Sequence, residues 1–285
     1  MKPTHTIATP LNIRYSEEIP DAIHFHSHLH HEVYYFNGGA CSYLIGDKLY
    51  ELAPGDLILM HGMTLHSPHI GSAREYRRTT IHFDPDFVQG LIGPSFGSLN
   101  LLQPFQELRN HRLRLNGSER EEIEAHLRRM LTLEAGEDAT SARRLQAAFL
   151  ELLILIYGLC EKPMEALADD VSDRVKHVQN MIGFLEAHYM EDLHMEQLED
   201  ALHLSKYYLS KIFKEVTGVT VFDFLYQRRI NQAKIWLLVD KRMSITDIGY
   251  QAGFKHPSHF SRMFKQLVGS TPEQYRKTNA YSAFF

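Results

Sequence analysis

Cysteine is nearly absent from this 285-residue chain: Cys41 and Cys160 are its only two, too few for a disulfide framework or a four-cysteine zinc site. Long apolar runs are missing as well. The longest, Leu152 to Cys160, is about half of what a bilayer span needs, and Arg143, Arg144 and Glu151 stand just before it. No succession of basic, apolar and small residues marks a signal peptide, so a reducing cytoplasm is the expected location and a membrane is not an expected partner. Glycine and proline stay at ordinary levels, 17 and 11, beside 44% hydrophobic and 23% charged residues. That composition excludes collagen-like, low-complexity and disordered chains. The length favours two compact domains.

A strong overall charge is also lacking, but the net of -5 hides an uneven distribution. From Ser205 to the end there are 13 Lys and Arg against 5 Asp and Glu, a net of +8, which leaves -13 for the rest. The C-terminal part carries the charge of a polyanion binder. Histidine divides the other way: 16 of 18 precede Ser205, and nine fall between His5 and His69. Two halves with different chemistry are expected, and their opposite charges predict that the N-terminal half docks on the C-terminal one.

From Ile23 to about Phe83, short β-type runs alternate with turn residues. Val33 to Phe36 precedes Asn37-Gly38-Gly39, Cys41 to Ile45 precedes Gly46-Asp47, and Lys48 to Leu52 precedes Pro54-Gly55-Asp56, with Leu57 to Met60 after it. This spacing predicts an antiparallel barrel or sandwich. Asp84 to Asn116 reads as loops with short helices. Ser118 with Glu121 predicts a capping box, ahead of a helix carrying Ile123, Leu127, Met130 and Leu131. Ala142 to Cys160 is a second, more apolar helix, whose wide stripe makes it the expected dimer contact. Glu161 to Asp173, with Pro163 and five acidic residues, is the natural linker.

The C-terminal part contains a repeat. Ser210 to Thr220 aligns with Ser261 to Thr271 at an offset of 51, while upstream Leu198 matches Ile248 and Leu204 matches Phe254 at an offset of 50. Each copy reads as a short support helix, a turn and a longer helix with a basic face, which is the helix-turn-helix plan. In the first copy Met195 to Leu202 supports and Ser205 caps Lys206 to Val216. There Leu209, Ile212, Phe213 and Val216 face inward, leaving Lys206, Tyr207, Ser210, Lys211 and Lys214 for DNA. In the second, Ile245 to Ala252 supports, Gly253 turns, and Ser258 to Leu267 presents His259, Ser261, Arg262 and Lys265. Phe222 to Leu238, with Arg228, Arg229 and Lys234, reads as one helix about 25 Å long. It would hold the two readers near the ~34 Å of one DNA turn. Lys214 and Lys265 suit phosphate contacts; Tyr207, Lys211, His256, His259 and Arg262 are placed to meet bases.

Ile245, Ile248, Gly253-Phe254, Ser258, Phe260, Arg262 and Phe264-Lys265, followed by Gly269-Ser270-Thr271-Pro272-Glu273-Gln274-Tyr275-Arg276, form a pattern that resembles the AraC family of bacterial transcription regulators. The resemblance covers about Arg174 to Lys277. It implies that Lys206, Tyr207, Ser210, Lys211, Lys214, His256, Ser258, His259, Arg262 and Lys265 meet double-stranded operator DNA. It further implies a homodimer, an effector-binding domain, and RNA polymerase as a partner if the protein is an activator, the usual mode. Gly249 and Glu199 stand where the family usually has Ala, a departure expected to loosen helix packing.

The sequence His26-Ser27-His28-Leu29-His30-His31-Glu32, with Gly39 after it and His66 ten residues beyond Asp56, resembles the cupin barrel, whose motifs supply three His and one Glu to a metal. The resemblance implies an α+β chain of two domains. These are a cupin-like barrel over residues 1–116 with a helical dimerisation region over 117–160, a linker over 161–172, and a double helix-turn-helix over 173–285. His26, His28, Glu32, Tyr34, Tyr43 and His66 are the expected effector-binding residues, for a sugar or related metabolite, with Phe36 and Tyr50 as further aromatic candidates. No cofactor is required by this reading, although His26, His28, Glu32 and His66 would suit a divalent ion. His24, His30, His31, His61 and His69 are expected to be ordinary polar residues. A transcription regulator and not an enzyme is the leading expectation; the alternative is a metal-dependent cupin enzyme fused to a DNA-binding module.

Overall fold

Strand alternation decides which side chains meet in the N-terminal half. The computed structural model describes residues 9–19, 25–70, 75–92, 99–108, 110–162 and 172–279. Among them β1 (Leu11–Ser16), β7 (Tyr76–Phe83), β2 (His31–Gly39), β5 (Asp56–Met60) and β8 (His111–Arg114) form one antiparallel sheet in that order. The strands β4 (Lys48–Glu51), β3 (Ser42–Ile45) and β6 (His66–His69) form a second. Because successive side chains point to opposite faces, Tyr34 and Phe36 of β2 and Ile58 and Met60 of β5 turn inward. They share a core with Tyr43 and Ile45 of the smaller sheet. Val33, Tyr35, Leu57, Leu59, Ile81 and Phe83 face the other way, toward the helices.

Two strands exceed what local patterning predicts. β2 runs through Asn37-Gly38-Gly39 instead of turning there, because a bulge between Phe36 and Gly38 shifts its register on β7. Gly39, with φ +109°, passes so close to the Glu75 carbonyl that a Cβ would lie 2.1 Å from its oxygen. The stretch after Asp84 contains α1 (Pro85–Leu91), α2 (Gln103–Glu107) and then β8, whose pairing with β5 is a long-range event.

The helices α3 (Gly117–Glu134) and α4 (Ala139–Glu161) cover the larger sheet. The capping box of α3 lies two residues earlier than expected: Asn116 accepts from the Glu119 amide, and Glu119 accepts from the Asn116 amide. Asn116 wins because its side chain sits at the residue where the helical hydrogen bonding begins. On α4, Leu145, Ala148, Phe149, Leu152, Leu153 and Ile156 are buried within the chain, so most of its apolar stripe is intramolecular core. Ile154 remains 42% exposed. It lines a cleft of about 260 Å³ with Ile123, Leu155 and Leu159.

The C-terminal half is helical: α5 (Asp173–His188), α6 (Met195–Leu202), α7 (Lys206–Thr217), α8 (Val221–Val239), α9 (Ile245–Gln251), α10 (Pro257–Val268) and α11 (Pro272–Asn279). It has two cores. Val178, Ile182, Leu198, Leu209, Phe213 and Phe224 belong to the first, and Ile230, Leu237, Ile248, Phe254, Phe260 and Phe264 to the second. The 19-residue α8, about 28 Å long, contributes to both. The turn between α9 and α10 uses Gly253 at φ +92°; its counterpart after α6 is His203 at φ 55°, a non-glycine in the same left-handed region. No helix of the described residues is long and apolar enough to cross a membrane.

Gly249 does not loosen the helices around it. A Cβ there would lie 2.8 Å from Cδ1 and 3.0 Å from Cγ of the buried Phe260 ring, so the missing methyl is what lets α9 and α10 approach. Gly249→Ala should therefore destabilise the full chain by about 1–2 kcal/mol, since overpacking outweighs the ~1 kcal/mol gained in helix propensity. Chemical denaturation measures it; a variant as stable as the parent would mean that Phe260 yields without cost.

Candidate functional site

The helices α7 and α10 owe their open faces to what they bury. In α7, Ser205 Oγ accepts from the Tyr208 amide at 3.3 Å, and Leu209, Ile212 and Phe213 turn into the core. Lys206, Tyr207, Ser210, Lys211 and Lys214 are left exposed, with Tyr207 at 79%. In α10, Phe260 and Phe264 are buried, while His256, Ser258, Ser261, Arg262 and Lys265 are exposed. His259 differs from its neighbours. It is half-buried, edge-on to Tyr226 at 5.5 Å and Phe254 at 5.6 Å, and burial, then Arg262, lowers its pKa. Lys206 is paired with Glu196 at 2.7 Å, an exposed bond that a phosphate can displace.

The cations of α8 do not join this surface. Arg229 donates from Nε to the Tyr189 carbonyl and from a terminal nitrogen to the Glu191 carbonyl, both at 2.6 Å, and so ties down the chain just past the end of α5. Arg228 pairs with Glu186 at 2.6 Å and lies over the Tyr189 ring. The C-terminal excess of positive charge is therefore larger in sequence than on the open faces of α7 and α10.

Inside the barrel, Glu32 is buried at the centre of a histidine cluster. Its Oε2 lies 3.3 Å from His28 Nε2, 3.6 Å from His66 Nε2 and 3.2 Å from His82 Nε2. Register explains His82: it is the direct partner of Glu32 across the β2–β7 ladder and points to the same interior face. Sequence spacing missed it, because it belongs to neither histidine motif. His26 exchanges both backbone hydrogen bonds with His66, and the two rings lie 4.0 Å apart between centroids. Burial would raise the Glu32 pKa, but His82 and His28 outweigh it and hold the carboxyl well below its ordinary value. Burial, then His26, keeps His66 well below its ordinary value and hence neutral. Burial opposes charge on His82 also, yet Glu32 raises its pKa overall.

The remaining candidates fall into two groups. Tyr34 and Tyr43 are buried edge-on to each other at 4.9 Å, and Tyr34 donates to the Tyr76 hydroxyl at 3.1 Å. Phe36 packs in the same core and Tyr50 at its margin. Of the histidines expected to be ordinary, His31 is buried on the helix-facing side. It stacks on Phe105 and accepts from the Gly62 amide at 2.8 Å, and burial, then His61, brings its pKa down to about 4. His24 lies outside the described residues. His30 faces His28 Nδ1 with its backbone carbonyl at 2.9 Å, and His61 Nδ1 faces the Gly62 carbonyl at 2.6 Å.

The barrel also rests on the helical half. Phe25 meets Phe224 edge-on at 5.6 Å, and Leu44 and Leu65 join the first helical core. Ser27 Oγ donates to Asn231 Oδ1 at 2.5 Å, Asn231 Nδ2 donates to the Met63 carbonyl at 2.9 Å, and Lys234 Nζ donates to the Ser27 carbonyl at 2.9 Å. Gln179 bridges the Asp47 carbonyl and the Leu49 amide. His69 hydrogen-bonds to the backbone of Glu215, close against Gly218 at the end of α7. The docking expected from opposite charge is thus made by apolar rings and neutral polar groups around one buried lysine, since desolvation makes unpaired surface charge poor material for a packed contact.

Two family models match the chain: an AraC-like ligand binding domain over residues 11–153 and a helix-turn-helix domain over residues 198–278. Among curated proteins it is similar to the HTH-type transcriptional activator RhaS of Shigella sonnei, 24% identical over 257 residues, which span 88% of this chain and 87% of that protein. Among solved structures it is similar to the C-terminal domain of the two-component response regulator yesN from Fusobacterium nucleatum, with 33% identity, TM-score 0.33, and coverage of 37% of this chain and 99% of that one. It is also similar to ToxT from Vibrio cholerae, with 13% identity, TM-score 0.36, and coverage of 94% and 97%.

Burial brings Lys234 down to about 8 from an ordinary 10.5. The docked form therefore holds this proton less tightly than an undocked form would. The charge opposes docking in full below pH 8, and its opposition fades as pH rises from 8 toward 10.5. Docking should tighten across that window by up to about 3 kcal/mol. Energy transfer between labels on α3 and α11 would rise with pH in the parent and stay flat in Lys234→Met; a parent that shows no rise contradicts the assignment.

Proposed function

This chain belongs to the AraC family of DNA-binding transcription regulators, and from that premise we propose that it is an activator whose two reading helices are governed by an effector taken up at the histidine-lined part of the barrel. The observation that carries the reading is the pair of basic helices, α7 and α10, fixed on one shared helix with their polar faces open. Activation is supported by the likeness to RhaS, a transcriptional activator, which also favours a regulator over an enzyme. An activator would meet RNA polymerase while bound at its operator. A sugar in the barrel would have to part the packed pair Tyr34 and Tyr43, whereas the polar groups around Glu32 are already gathered.

Within the DNA surface, Lys214 and Lys265 near the ends of their helices serve as phosphate anchors, and Arg262 reads a base edge. Arg262→Ala should lose about 1–3 kcal/mol on the operator and relax discrimination at one position, whereas Lys214→Ala should weaken all sequences alike and reduce the salt slope by about 1. Fluorescence anisotropy on specific and random duplexes at several salt concentrations separates the two. Equal losses on both DNAs for Arg262→Ala would make it another phosphate contact.

The homodimer is assigned to the outer face of α3 and α4, where Ile154 stays exposed outside the intramolecular core. Ile154→Asp should shift sedimentation from dimer to monomer without lowering the melting temperature. A dimer that persists unchanged would place the contact elsewhere.

A further inference from the structure

The cluster around Glu32 has an arrangement that hydrogen bonding does not satisfy. His28 Nδ1 faces the His30 carbonyl and His66 Nδ1 faces the Thr64 carbonyl, each at 2.9 Å. A carbonyl only accepts, so each Nδ1 carries a proton, and the Nε2 atoms of both rings turn toward Glu32. His28 Nε2, His66 Nε2 and Glu32 Oε2 are buried without a hydrogen-bond partner, although each ring nitrogen lies within 3.6 Å of the carboxylate oxygen. Two imidazole nitrogens and a carboxylate oxygen brought to one point are a ready set of ligands for a cation.

The donors also fit by number and kind. Ligand atoms of His26, His28 and His66 lie within 4.8 Å of one another, and so do those of His28, Glu32 and His82. Imidazoles with a single carboxylate suit first-row transition metals, not calcium or magnesium, which prefer oxygen. The two backbone carbonyls behind His28 and His66 are the outer-shell acceptors that orient metal-bound imidazoles.

The same segments grip the helical half. Ser27, between His26 and His28, bonds to Asn231 and Lys234 of α8, and β6 carries His66 at one end and His69, against α7, at the other. We propose that the barrel binds a divalent first-row transition-metal ion through His26, His28, Glu32, His66 and His82, and that the ion tightens the hold of the barrel on α7 and α8. The ligands are gathered while the contact is closed, so an ion adds most to that state. Reciprocity then requires that loosening the contact weakens the ion's affinity by the same factor. The metal site stands on its own geometry; only the use of the contact to govern DNA binding rests on the regulator reading above.

The test is titration of the full, metal-stripped chain with cobalt(II), followed by its visible absorption and by calorimetry. One equivalent should bind, with affinity reduced at least tenfold in His66→Ala and in the more exposed His82→Asn, each checked for an unchanged far-ultraviolet circular dichroism spectrum. Asn231→Ala, which touches none of the five ligands, should reduce affinity about fivefold or more. No stoichiometric uptake, or uptake unchanged in both histidine variants, overturns the site; full affinity in Asn231→Ala overturns the coupling. Binding of the metal-free chain to a specific duplex is measured alongside. If DNA binding persists while cobalt fails to bind, this inference alone is lost; if neither form of the chain binds DNA specifically, the regulator reading is what fails.

Discussion

One helix joins the two cores of the C-terminal half and also meets the barrel. α8 places Phe224 and Leu225 in the first helical core and Ile230, Ala233 and Leu237 in the second, so the spacing of α7 and α10 is set by a single hydrogen-bonded rod. Its polar residues are used in the same economical manner. Arg228 and Arg229 secure α5, while Asn231 and Lys234 meet the barrel. A helix bound on so many sides has little freedom to bend, so a shift at the barrel contact would move the two helical cores as bodies.

The barrel contributes a different constraint, the two-residue period of a strand. Glu32, Tyr34 and Phe36 share the interior face, and His31, Val33 and Tyr35 the helix-facing side. A register slip of one residue would bury the wrong set and remove Glu32 from His82. The bulge at Phe36 to Gly38 absorbs the irregularity of β2 beyond the cluster and leaves the Glu32 and His82 pairing intact. Chemistry at the barrel and shape of the barrel are therefore set by the same register.

Local signals and tertiary ones can be told apart residue by residue. The support helix Met195–Leu202, the cap at Ser205 and the turn at Gly253 were legible because each follows from the φ preference or hydrogen bonding of a few adjacent residues. The internal repeat made the second copy readable from the first. The capping box of α3 was misplaced by two residues, since Ser118 and Asn116 are both competent caps and packing of Ile123 and Leu127 fixes the helix phase. Gly249 is illegible for a similar reason: a sequence reports the absence of a methyl group but not the Phe260 ring that fills its place.

By itself the sequence determined the two-part plan, the paired basic helices with their buried and open faces, and the presence of a histidine-rich barrel, because periodicity and composition are properties of consecutive residues. Tertiary structure alone decided that His82 joins Glu32, that the cations of α8 are spent internally, that α4 buries most of its stripe within the chain, and that Ser27 rests on Lys234. Each of these unites residues distant along the chain, Ser27 and Lys234 by 207 positions. Such pairs are selected by the packing of whole elements, for which no neighbouring residue carries a signal.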